Sequence, residues 1–146
     1  MRAAKVMIGL LLLASTLLAC SSDHRLSAAD FRTKANAVCA EANARNASAP
    51  VTLPTKTVPS AQALAAYYRA TLVPSIKVQL AALRKLAPPK DLAADLATAL
   101  KEADAAVAKI EAAEKNPPQL YAVTSSAFSD VTLKLKKLGL TTCAGG

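Results

Sequence analysis

Alanine fills 34 of the 146 positions, and prolines cut the alanine-rich stretches into blocks. Alanine has the highest helix propensity, and here it comes with few β-branched or aromatic residues, so helix is favoured over strand throughout. Proline has no backbone N–H and clashes with the preceding turn, so each Pro-bearing segment marks a helix start, stop or bend. These two features together argue against an all-β fold. Glycine narrows the options further. Beyond residue 19 the only glycines are Gly139, Gly145 and Gly146, too few and too late for a phosphate-cradling loop. Nucleotide-dependent enzymes of the familiar kinds are therefore not expected.

Four blocks carry helical periodicity. The first opens at Ser27, an N-cap with Asp30 at the third helical position. It sets Phe31, Ala35, Val38, Cys39 and Ala42 on one stripe and fades near Ala47. Residues 48–59 hold three prolines and three threonines and predict an extended connection. Ser60 caps the second block, whose stripe runs through Leu64, Tyr68, Leu72, Ile76, Leu80, Leu83 and Ala87. Pro74 lies inside it and predicts a kink. The third block starts at Pro89 to Asp91 and buries Leu92, Leu96, Ala99, Leu100, Ala103, Val107 and Ile110. Asn116 caps the fourth, which carries Leu120, Val123, Phe128, Val131, Leu135 and Leu138 as one helix. Gly139 then fits a left-handed helix stop, with Leu140 as the apolar residue after it. The expected fold is all-α, an antiparallel up-and-down four-helix bundle with its second helix kinked at Pro74.

The first 19 residues have a different character. Arg2 and Lys5 precede an apolar run, Val6 to Leu18, of 13 residues. Such a run reaches roughly 20 Å as a helix, short of a ~30 Å hydrocarbon core, so an export signal is expected rather than a membrane span. Leu17-Leu18-Ala19-Cys20 resembles the bacterial lipobox, with an aliphatic residue three before the cysteine and a small one directly before it. That resemblance implies cleavage before Cys20, lipid attachment to its sulfur, and anchoring to the outer face of the cell membrane. The domain plan is then a signal peptide over 1–19, a tether over 20–26 and one helical domain over 27–146. The tether spans at most about 20 to 25 Å.

Three cysteines are an odd count for an exported chain. Giving Cys20 to lipid leaves Cys39 and Cys143. A disulfide between them persists outside the cytoplasm, whereas two buried thiols are the alternative. A metal site has little to work with, since the chain has one histidine and no acidic residues grouped around either cysteine. Phe31-x-x-x-Ala35-Asn36-x-x-Cys39, Leu72-Val73-Pro74, Leu86-Ala87-Pro88-Pro89 and Leu138-Gly139-Leu140 ahead of Cys143 occur in this order. Together they resemble a group of small exported actinobacterial helical proteins and lipoproteins of unknown function. The resemblance implies a helical bundle with Cys39 linked to Cys143, its tail tied to the first helix, and it implies no chemistry.

Residues suited to catalysis are sparse. His24 falls in the tether, where no rigid nucleophile accompanies it. Asp91/Asp95 and Glu111/Glu114 share helix faces, but those faces are charged and solvated rather than shielded. No catalytic residue, metal or cofactor is expected. Tyr67 and Tyr68, with Phe128, are the candidate lining of a cavity for an apolar ligand. The formal charge of +8 includes Arg2 and Lys5, leaving +6 for residues 20–146. That excess favours anionic partners, either lipid headgroups or wall polymers. No nucleic-acid recognition motif is present. The Thr/Pro stretch from Val51 to Pro59 is a candidate for O-linked sugars. The expected role is a lipid-anchored, non-enzymatic binding or scaffolding module, with carriage of an apolar molecule or lipid between helices as the alternative.

Overall fold

The computed structural model describes residues 24–53 and 57–145. The signal segment, Cys20 and residues 54–56 of the Thr/Pro stretch lie outside them. Among the described residues the fold is helical, with no strand. Helix α1 spans Ala28–Ala47. Its start follows the sequence closely: the Ser27 Oγ accepts from the Asp30 N–H at 3.1 Å and donates to the Asp30 carboxylate at 2.7 Å. Phe31, Ala35, Cys39 and Ala42 are its buried residues. Arg25 and Leu26, assigned to the tether, are held to the turn after the second block. The Leu26 N–H donates to the Ala87 carbonyl at 2.8 Å and the Arg25 guanidinium to the Pro88 carbonyl at 3.2 Å.

The second block contains helix α2 (Ala61–Tyr67), a π-helical turn (Tyr68–Leu72) and helix α3 (Val73–Arg84). The π turn directly precedes Pro74. A proline ring clashes with the carbonyl four residues back, and one extra residue in the turn moves that carbonyl away. The insertion also shifts the stripe. Leu72, expected inside, is half-buried, while Thr71 and Val73 are buried. Ala87, also expected inside, is exposed, and Leu86 packs on the core in its place. Two hydrogen bonds hold the described ends of the preceding connection. The Thr71 hydroxyl donates to the Val51 carbonyl at 3.1 Å, and the Tyr121 hydroxyl donates to the Pro59 carbonyl.

Helix α4 (Lys90–Ala113) buries the expected stripe from Leu96 to Ile110 and adds Ala106 and Ala113. Leu92, at its exposed start, is half-buried. Three ion pairs run along the seam between the second and third blocks: Arg84–Asp104, Lys77–Glu111 and Arg69–Glu114. Glu111 thus pairs across the seam, on Lys77.

The fourth block is two helices, not one: α5 (Pro117–Thr124) and α6 (Ser129–Lys137). Hydroxyl side chains sit at the break. Thr124 donates to the Leu120 carbonyl at 2.7 Å and Ser125 to the Ala122 carbonyl at 3.0 Å, local bonds that compete with helix continuation. At the start of α5, Asn116 takes the cap position without a side-chain capping bond, and Pro117 begins the helix. Helix α6 ends as expected. Gly139 has φ +80°, the Leu140 N–H reaches the Leu135 carbonyl and the Gly139 N–H the Lys136 carbonyl, both at 2.9 Å. This is the Schellman pattern, with Leu140 fully buried. A last turn, α7 (Thr141–Ala144), carries Cys143.

The core has two parts. The larger joins α1, α3, α4 and α6 around Phe31, Leu83, Leu96 and Leu135. The smaller joins α2, α4 and α5 around Leu64, Ile110 and Leu120. Half-buried Ile76 and Phe128 pack against both.

Candidate functional site

The C-terminal tail is fastened to α1 by three side chains. The Sγ atoms of Cys39 and Cys143 lie at disulfide distance, with their Cα atoms 5.0 Å apart. One helical turn earlier, Asn36 uses both ends of its carboxamide. Its Nδ2 donates to the Gly139 carbonyl at 3.1 Å, and its Oδ1 accepts from the Thr142 N–H at 3.0 Å. Arg32 lies one turn further back, and its Nε donates to the Leu138 carbonyl at 3.0 Å. A cation there also complements the negative end of α6. Gly139 is needed twice at this place. Its φ is left-handed, and a Cβ would sit 2.7 Å from the Arg32 Nε.

Fastening the tail this way closes one wall of a cavity. A space of about 220 Å³ lies between the second half of α1, the π turn and α3, α4, α6 and α7. Leu80, Leu83, Leu100 and Leu135 supply much of its apolar surface, with Phe128 at the start of α6 and Cys143 in the tail. Its polar wall is made of Asn43, Asn46, Gln79 and Thr132. Gln79 is turned to the cystine, its Nε2 lying 2.8 Å from the Cys39 Sγ. The Asn46 Oδ1 is buried and has no hydrogen-bond partner.

Of the three aromatic residues expected to line a cavity, Phe128 does so, and Tyr67 and Tyr68 are not among the lining residues. The two tyrosines pack edge to face, ring centroids 5.8 Å apart, and Tyr68 lies against the smaller core. Burial raises the Tyr68 phenol above its ordinary pKa, with the hydrogen bond to Thr124 lowering it and Tyr67 adding a small rise. The polar wall had no signal in the sequence, because Asn43, Asn46 and Gln79 look like ordinary helix-surface residues until α1 and α3 are packed.

The remaining sequence candidates are dispersed. His24, Asp91 and Asp95 are exposed. Glu114 is turned inward, one carboxylate oxygen accepting from Arg69 at 3.3 Å and the other buried without a partner. Among the described residues no group of His, Cys, Asp or Glu is arranged to hold a metal ion. Nor, among them, is any helix long and apolar enough to cross a membrane. Cys20 lies outside the described residues. Comparison with known protein families, with curated proteins and with solved structures finds no match.

Proposed function

We propose that this chain is an exported lipoprotein, held to the outer face of the cell membrane through Cys20, whose helical domain is a non-enzymatic binding module. Its site is the cavity between the helices, so the module carries an apolar small molecule. The observation that carries this reading is the cavity itself. A small domain packed as tightly as protein interiors usually are has few voids larger than a water molecule. Here about 220 Å³, partly open to solvent, stands beside Phe128 and five leucines. That volume exceeds the ~150 Å³ that accommodates benzene in an engineered cavity and falls below the ~300 Å³ where drug-sized pockets begin. A whole diacyl lipid is too large for it.

The scaffold we propose is an antiparallel up-and-down arrangement of four rods, the second bent at Pro74 and the fourth made of α5 and α6. Two sets of contacts support it. Cys39 meets Gln79 while Leu26 meets Ala87, so α1 and α3 run in opposite directions. Along the next seam Arg84 pairs with Asp104 and Lys77 with Glu111, the same sense of reversal. Export is supported by the cysteine pair, since disulfides persist in oxidising compartments. The charge of +6 on residues 20–146 supports contact with anionic lipid headgroups or wall polymer near the anchor. A protein partner in place of a small molecule is the second reading, and an occupied cavity in the native protein is what separates the two.

Native mass spectrometry of protein extracted from its source tests the carrier reading: a co-purifying small molecule is expected, and a mass accounted for by protein and acyl chains alone argues against it. Cys20→Ala tests the anchor. Loss of the processed protein from membranes is expected, and firm retention of an unprocessed precursor would point to an uncleaved leader instead.

A further inference from the structure

The cations of the domain are arranged differently on its sides and at its end. Along the sides, Glu41, Glu102, Asp104, Glu111 and Glu114 each pair with a lysine or arginine. Lys101, Lys109 and Lys115 are spaced along α4 and just beyond it. At the end where the tether enters, three segments meet. Arg25 and Leu26 are bonded to the turn between α3 and α4, and Arg32 to the Leu138 carbonyl at the end of α6. They bring together Arg25, Arg32, Lys85, Lys90, Lys136 and Lys137, all exposed. Asp30 and Asp91 are the acidic residues of this end, with Asp23 before it in the tether, which leaves an excess of three positive charges. Lys34 and Asp95, one turn further in, offset each other. Lys85, Lys136 and Lys137 make no ion pair with any described residue. A cation at the end of α3 or α6 suits the helix dipole. The dipoles do not require that both helix ends meet beside the tether.

The tether sets where this end sits. The chain is already bonded to the domain at Arg25, so the tether is shorter than residues 20–26. Four positions separate Cys20 from His24, a reach of at most roughly 14 Å. Lipid on Cys20 therefore brings the basic end to the bilayer surface, within one or two Debye lengths of about 8 Å. Basic residues that close to anionic headgroups are attracted to them. From this placement we infer that the basic end of the bundle docks on anionic phospholipid headgroups. The domain then stands end-on, with the α3–α4 turn and the end of α6 against the membrane. This rests on the reading of Cys20 as a lipid anchor and adds the docking surface, its partner and the orientation. Phospholipid is the partner rather than a wall polymer, because the short tether holds this end at the bilayer surface.

The test uses the full chain, extracted from its source and reconstituted into vesicles of phosphatidylcholine, alone or mixed with an equal part of phosphatidylglycerol. Lysines are acylated briefly with a membrane-impermeant reagent, and the rate at each is read by peptide mass spectrometry. In the anionic vesicles Lys85, Lys136 and Lys137 should react about fivefold more slowly than in the neutral ones, the protection that one lysine's attraction to an anionic surface gives. Lys101, Lys109 and Lys115 should change little. Salt at about 1 M, which screens charge beyond about 3 Å, should remove the difference. Lys136→Gln combined with Lys137→Gln should return Lys85 toward its rate in neutral vesicles. Equal slowing of all six lysines, or of none, in protein that floats with both vesicles would overturn the docking and leave the anchor standing. So would undiminished protection of Lys85 in the double variant. Protection by soluble polyphosphate but not by anionic lipid would overturn phospholipid as the partner. Protein that fails to float with neutral vesicles would overturn the anchor, and the docking with it.

Discussion

Asn36 shows how one side chain can define an interface between distant segments. Its donor end meets Gly139 and its acceptor end meets Thr142, residues 103 and 106 positions away. Both bonds are partly shielded from solvent, where an unsatisfied partner costs about 1–3 kcal/mol. Asn36→Leu should therefore lower unfolding free energy by about 2 kcal/mol in a denaturant titration, and Asn36→Asp, which sets a carboxylate oxygen against the Gly139 carbonyl, by at least as much. Equal stability of all three proteins would show that the tail does not depend on this carboxamide. Tyr68 makes a different residue-scale prediction. Burial disfavours its phenolate, so its folded-state pKa lies above the ordinary 10.0. The folded state then holds the proton more tightly than the unfolded chain does. The associated stability is complete below about pH 10 and is lost as pH rises through the raised folded value. In Tyr68→Phe the alkaline decline should be shallower than in the unaltered protein. Parallel pH profiles for the two would remove Tyr68 as a contributor.

At the scale of elements, the parts with strictly local causes were legible in the sequence. Ser27, Ser60 and Gly139 each fix a helix end through bonds to residues within five positions, and all three act as their chemistry predicts. Gly139→Ala is the direct check. A non-glycine residue in the left-handed region costs about 1–2 kcal/mol, and the added Cβ also displaces Arg32 from the Leu138 carbonyl. A loss of about 2–3 kcal/mol is expected by chemical denaturation, and a loss below about 0.5 kcal/mol would contradict the strained geometry. Other elements were not legible. Pro74 announces a disturbance, but nothing in the apolar spacing tells that it takes the form of a π turn over Tyr68–Leu72. The break after Thr124 falls between Val123 and Phe128, whose apolar spacing reads as one continuous stripe, so periodicity does not register it. The cavity follows the same rule. Phe128 was foreseen because it is large and apolar, whereas the Asn43, Asn46 and Gln79 edge exists only through the pairing of α1 with α3.

The whole molecule is a chain with few large side chains closed by one long covalent loop. Alanine lets helices approach closely but buries little apolar area per residue, so the core is thin for its length. Only Phe31 among the aromatics is fully buried. The Cys39–Cys143 link, 104 positions apart in sequence, offsets this by restricting the unfolded chain. On the chain-entropy account a loop of that length contributes about 4–5 kcal/mol, a large share of the 5–15 kcal/mol typical of a whole domain. It also holds α7 against the cavity, since Cys143 is one of the lining residues. Breaking the link should therefore be the most damaging single change outside the apolar core. Cys143→Ser is the cleaner test, because that position is half-buried, whereas Cys39 is fully buried and a serine there adds the cost of an unpaired hydroxyl. Under oxidising conditions Cys143→Ser should melt well below the unaltered protein, by about 8–20 °C at about 2–4 °C per kcal/mol. Reducing agent should bring the unaltered protein down to the same temperature and leave the variant unmoved. A variant that melts with the oxidised protein would mean that the thiols pack side by side without a bond, and that helix packing alone stabilises the fold.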